Sequence, residues 1–150
     1  MDVADEQVKA FFELGDEDWH RLLDLNRRIL AHEGPWAEWP VRDVGARSGP
    51  FEPLVIPYPV PDPLITAFLR FWGDHHLVVV FDWPGWQEGQ DWFRSTDSRK
   101  FSALDVATAL KLLTSVIRAD RFSEGHLISA FECGVVPRIV NRLVEIRPAS

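Results

Sequence analysis

Seven of the chain's eleven prolines fall between Pro35 and Pro61, and no long helix can cross that stretch. Proline has no amide hydrogen to donate, and it disfavours the helical conformation in the residue before it. The segment reads as irregular and extended, with an edge strand expected at Leu54–Ile56. Trp36 and Trp39, three apart, are the aromatics it has to tuck inward. The same composition suits a binding arm, since an extended proline-rich chain loses little entropy on docking.

Helical periodicity lies on both sides of this barrier. Asp5–Leu14 places Val8, Phe11, Phe12 and Leu14 on one face and stops at Gly15. Asp16 is expected to cap a second helix carrying Trp19, Leu22, Leu23, Asn26, Ile29 and Leu30, which runs to about Glu33 before Gly34-Pro35 ends it. Beyond the prolines, Asp62-Pro63 reads as an N-cap with proline in the first turn, and Ile65, Phe68, Leu69 and Trp72 follow at i, i+3, i+4 and i+7. The β-branched run Leu77–Phe81 favours a buried strand, with a helical turn as the competing reading. Ser102-Ala103-Leu104-Asp105 resembles a capping box opening a helix through Val106, Leu110, Leu113 and Ile117 to Arg118. Ser123 is expected to cap a helix through Leu127, Ile128 and Phe131 that ends at Gly134 in a left-handed conformation. Pro137 then lies near the start of a last helix bearing Ile139, Val140, Leu143 and Val144. The expected fold class is α+β and predominantly α-helical: a C-terminal helical bundle, a small β element and a Pro-rich irregular segment within a single globular domain spanning residues 1–150.

Composition narrows the function classes. With 150 residues and 46% hydrophobic content, one core can be filled, and no repeat or low-complexity linker divides the chain. Apolar runs such as Leu77–Phe81 are far shorter than the roughly 20 residues of a membrane-spanning helix. The opening Met1-Asp2-Val3-Ala4-Asp5-Glu6 lacks the basic and apolar regions of a secretory signal, so a cytoplasmic location is expected. Cys133 is the only cysteine, which removes intrachain disulfides and cysteine-based zinc sites and suggests a buried packing residue. A net charge of −7 disfavours a nucleic-acid grip, which needs clustered Lys and Arg. The charge is uneven: residues 1–93 hold 17 acidic and 7 basic side chains, and residues 94–150 hold 6 acidic and 9 basic. That basic third keeps anion binding open, although mutual compensation between the halves is the simpler reading.

The block Ile117-Arg-Ala-Asp-Arg-Phe-Ser-Glu-Gly-His-Leu127, with Phe131-Glu-Cys-Gly134 and Ile139-Val-Asn-Arg-Leu143 after it, resembles the C-terminal signature of a bacterial family catalogued as domain of unknown function 6508. Phe81-Asp82-Trp83-Pro84-Gly85-Trp86-Gln87-Glu88-Gly89 and the helix holding Phe68 and Phe71 are similar to its preceding aromatic segment. The resemblance covers roughly Asp62–Arg147 and implies a small intracellular domain; it supplies no mechanism.

Two constellations carry potential chemistry. Arg118, Asp120, Arg121, Glu124 and His126 crowd a helix-to-helix turn, where two guanidinium groups three residues apart could bind phosphate or carboxylate. Arg pairing with Glu124 and with the unpaired carbonyls of the helix end is the structural alternative. Seven aromatics lie between Phe71 and Phe93, and Trp83 and Trp86 flank the Pro84-Gly85 turn as either a stacking platform or part of the core. His75-His76 with Asp74 and Asp82, and His20 and His32 nearby in sequence, has no specific metal spacing, so neither metal nor cofactor is expected. Nucleophile-elbow, P-loop and dinucleotide-binding motifs are absent. These features favour a protein-interaction or regulatory binding module working through Trp83 and Trp86. The alternative is a small enzyme or anionic-ligand-binding protein centred on Arg118, Arg121, Glu124 and His126. Partner identity, oligomeric state and the presence of any enzymatic activity stay open at this level.

Overall fold

The proline-rich barrier separates two helical parts that share one hydrophobic core. The structure, a computed structural model, describes residues 3–38, 60–94, 98–120 and 125–147. Among these residues the order is α1 (Asp5–Phe12), α2 (Asp16–Ala31), β1 (Ala37–Glu38), β2 (Val60–Pro61), α3 (Pro63–Asp74), α4 (Gln87–Arg94), a 3-10 segment (Ser98–Ala103), α5 (Val106–Ala119), α6 (His126–Glu132) and α7 (Val135–Ile146). The fold is predominantly α-helical with a small β element, as the sequence pattern indicates.

The core forms where the apolar faces meet. Phe11 of α1, Leu22 of α2, Phe68 and Trp72 of α3, Leu110 and Leu113 of α5, Phe131 of α6 and Ile139 and Leu143 of α7 are all almost completely buried in one cluster. Phe131 joins distant segments: its ring lies 4.9 Å from Trp36 and 5.6 Å from Phe68. Burial of one such ring stabilises by about 1.5–3 kcal/mol. Helix α2 meets α7 through a polar contact as well, the Asn26 amide donating to Asn141 Oδ1 at 3.2 Å.

Several local expectations hold. Asp62 caps α3, accepting the Leu64 amide at 2.9 Å with Pro63 in the first turn. Gly134 takes φ 85°, where a side chain would be strained, and so ends α6 and starts α7 at one residue.

Others are corrected. The expected strand at Leu77–Phe81 is not a strand: residues 77–80 have no regular structure. The Val79 amide donates to Thr114 Oγ1 of α5 at 2.9 Å, and the Leu77 amide to the Trp72 carbonyl at 3.1 Å. The helices satisfy this apolar run directly, with Leu77 and Val79 buried. The observed ribbon instead pairs Ala37 with Pro61 and Glu38 with Val60, antiparallel; Leu54–Ile56 and Trp39 lie outside the described residues. Gly15, not Asp16, is the N-cap of α2, because Asp16 is already helical and acts as first-turn negative charge. Asp105, not Ser102, caps α5: it accepts the Thr108 amide at 2.8 Å, while Ser102 sits in the 3-10 segment. Gly125, at φ 86°, starts α6, and Ser123 lies outside the described residues. Cys133 is exposed rather than buried. It is the C-cap just past α6, where its thiol reaches the Ala130 carbonyl at 3.6 Å instead of entering the core with Leu127, Ala130 and Phe131.

Candidate functional site

Residues 82–94 form a built structure, not a bare turn. Asp82 Oδ1 accepts the Gly85 amide at 3.4 Å, the Trp86 amide reaches the Trp83 carbonyl at 3.2 Å, and the Gln90 side chain donates to the Pro84 carbonyl at 3.3 Å. The turn thus feeds directly into α4. Trp86, Gly89, Gln90 and Phe93 follow at i, i+3, i+4 and i+7, one helical face.

That face borders a cleft of about 180 Å³ closed by Trp83 and Pro84 from the turn, by Ser115 and Ala119 of α5, and by His126 at the start of α6. Small side chains one turn apart on α5 leave the space open, and the Ser115 hydroxyl donates to the Lys111 carbonyl at 3.0 Å. Trp86 is held from two sides. Phe81 meets it edge-on with centroids 5.4 Å apart, and Gly89 lies so close that a Cβ there would fall 2.3 Å from the indole Cε3. Lys111 Nζ stands 5.8 Å from the Trp86 ring centre. Trp83 and Trp86 are half-buried and His126 is exposed; Phe93 is 37% exposed, large for an aromatic side chain beside a cleft.

Trp83, Trp86 and His126, named from two separate sequence constellations, therefore line the same cleft. Arg118 is half-buried on α5 and is not part of the lining. Arg121 and Glu124 lie outside the described residues. Asp120 has a structural task, its Oδ1 accepting the Leu127 amide at 3.0 Å and tying the end of α5 to α6. Of the residues weighed as metal ligands, His75 pairs with Asp18 at 3.6 Å and His32 with Asp62 at 3.0 Å; among the described residues no three potential ligands gather.

Gly89, Gln90, Phe93, Ser115 and Ala119 were not singled out from the sequence. The i, i+3, i+4, i+7 spacing from Trp86 to Phe93 is the signal that could have found this helix face, and glycine within it weakens the helical pattern. Nothing local marks Ser115 and Ala119, whose only qualification is being small opposite Trp86.

The turn, α4, α5 and α6 all fall within the part of the chain that matches a single family model, described as a family of unknown function, DUF6508, over residues 14–149. The chain belongs to the DUF6508 family. The match reaches back to Leu14, so membership takes in α2 and the proline-rich segment as well as the C-terminal signature. No curated protein and no solved structure matches the chain. Among the described residues of this DUF6508 chain, no helix is long and apolar enough to cross a membrane.

Proposed function

We propose that this DUF6508 chain is a protein-binding module whose Trp83–Trp86 cleft seats one aromatic or branched aliphatic side chain of a partner. The observation that carries this reading is the cleft's size and wall. About 180 Å³ is near the space an isolated aromatic ring fills, about 150 Å³ for benzene, and below the roughly 300 Å³ at which pockets for drug-sized molecules begin. Half-buried indoles beside an exposed phenyl ring match the aromatic anchors that dominate protein interfaces. His126 at the rim adds a polar group able to orient the partner's backbone.

The test is selection of a displayed random-peptide library on the purified chain, followed by the same selection on Trp83→Ala. Support would be a shared aromatic or aliphatic anchor among the enriched peptides, with affinity falling at least about ten-fold in Trp83→Ala while the thermal midpoint moves only a few degrees. Peptides without a common anchor, or equal binding by the folded variant, would reject the reading.

A further inference from the structure

A second cleft, of about 290 Å³, lies on another face of the molecule between α2 and α3. The two helices run antiparallel across it. Asp18 near the start of α2 meets His75 just beyond α3 at 3.6 Å, and His32 just beyond α2 meets Asp62 just before α3 at 3.0 Å. Its lower wall is apolar: Leu25 and Phe71 are buried, and Leu64 is half-buried.

Arg21, Arg28 and Arg70 line this apolar floor. Residues 1–93 contain only seven basic side chains against seventeen acidic ones, so gathering three of the seven around one cleft runs against the composition of that half. Arg21 and Arg28 are separated by two helical turns, about 10 Å along α2, and Arg70 comes from the opposite helix. Arg28 shares Asp24 with Arg27, at 2.9 Å from Arg28. Arg21 and Arg70 have no ion pair among the described residues. Asp24 is therefore already occupied by two guanidinium groups, and Asp74, one turn from Arg70 on α3 and at the Arg21 end of the cleft, is the one acidic residue of the lining without an ion pair among the described residues, leaving three guanidinium groups against two carboxylates.

We infer that the α2/α3 cleft binds a small organic anion, an aromatic or aliphatic body carrying one carboxylate or phosphoryl group. The body lies on Leu64 and Ala67, the apolar lining still open to water above the buried Leu25 and Phe71. The head group lies between Arg21 and Arg70, whose planar forks match two oxygens of either anion. Unlike the tryptophan cleft, this site requires charge, so the two respond to different ligands and to different substitutions.

The experiment is an NMR titration of the full chain, following the Arg Nε–H signals and the Phe71 amide, with phenyl phosphate, benzoate, inorganic phosphate and benzyl alcohol. Saturable shifts at Arg21, Arg70 and Phe71 are expected with phenyl phosphate or benzoate, and comparison of those two tells which head group the cleft prefers. Inorganic phosphate and benzyl alcohol should each bind at least about ten-fold more weakly, because each lacks one half of the recognition. Arg70→Gln and Arg21→Gln, both at exposed positions, should each weaken binding by about ten-fold or more with the thermal midpoint unchanged. Equal binding of benzyl alcohol, undiminished binding by both variants, shifts confined to Trp83 and Trp86, or no saturation below about 10 mM would overturn the assignment.

Discussion

Gly89 shows how a single side chain, or the lack of one, decides whether the tryptophan cleft exists. It is buried in α4, where glycine costs helix stability of up to about 1 kcal/mol relative to alanine. At this position the preference reverses, because an alanine methyl would meet the Trp86 ring at 2.3 Å. Gly89→Ala is expected to push Trp86 out of its contact with Phe81, to destabilise by about 1–3 kcal/mol and to close or reshape the cleft. Urea unfolding and the tryptophan emission maximum check this; an unchanged midpoint and spectrum would show that the indole is free to move. This dependence was not visible in the sequence, where Gly89 is one of several glycines and nothing says that an indole three residues earlier lies against it. Trp83 and Trp86 were visible, because bulky aromatics around a Pro-Gly turn are hard to bury together.

At the scale of elements, helices were legible where caps and period agreed. Asp62 before Pro63 and the left-handed Gly134 are local signals with local outcomes. Leu77–Phe81 failed because β preference describes a side chain's fit to a pleated, half-buried surface, and here the surface is a helix. The deciding group is Thr114, far along the chain, whose hydroxyl accepts from the Val79 amide at 2.9 Å and donates to the Leu110 carbonyl at 2.8 Å. Thr114→Val keeps the shape and leaves the Val79 amide buried without an acceptor, so a loss of about 1–3 kcal/mol is expected. Thr114→Ser keeps the hydroxyl and should recover most of it in chemical denaturation. Equal destabilisation by the two variants would locate the effect in packing instead of the hydrogen bond.

For the molecule as a whole, the two ends of the described chain are fastened together. Arg147, just past α7, donates to the Phe11 carbonyl at 3.0 Å and the Leu14 carbonyl at 2.7 Å, and its guanidinium stands over the Trp19 ring at 4.6 Å. It supplies charged donors to two carbonyls at the C-terminal end of α1, of which that of Phe11 also accepts the Leu14 amide at 3.4 Å. Arg147→Ala is expected to cost about 1.5–3 kcal/mol, the range for hydrogen bonds from charged groups, and to raise amide exchange in α1 before the rest of the molecule. Uniform exchange across all helices would show that α1 has no independent opening. The Ala37–Pro61 and Glu38–Val60 pairing has a topological outcome of its own. Positions 38 and 60 are neighbours in space although 21 residues separate them in sequence, so the two described ends that flank this segment stand side by side. Because folded domains often carry their own termini close together, a foreign domain joined between positions 38 and 60 in place of residues 39–59 would match that spacing without asking any described helix to move.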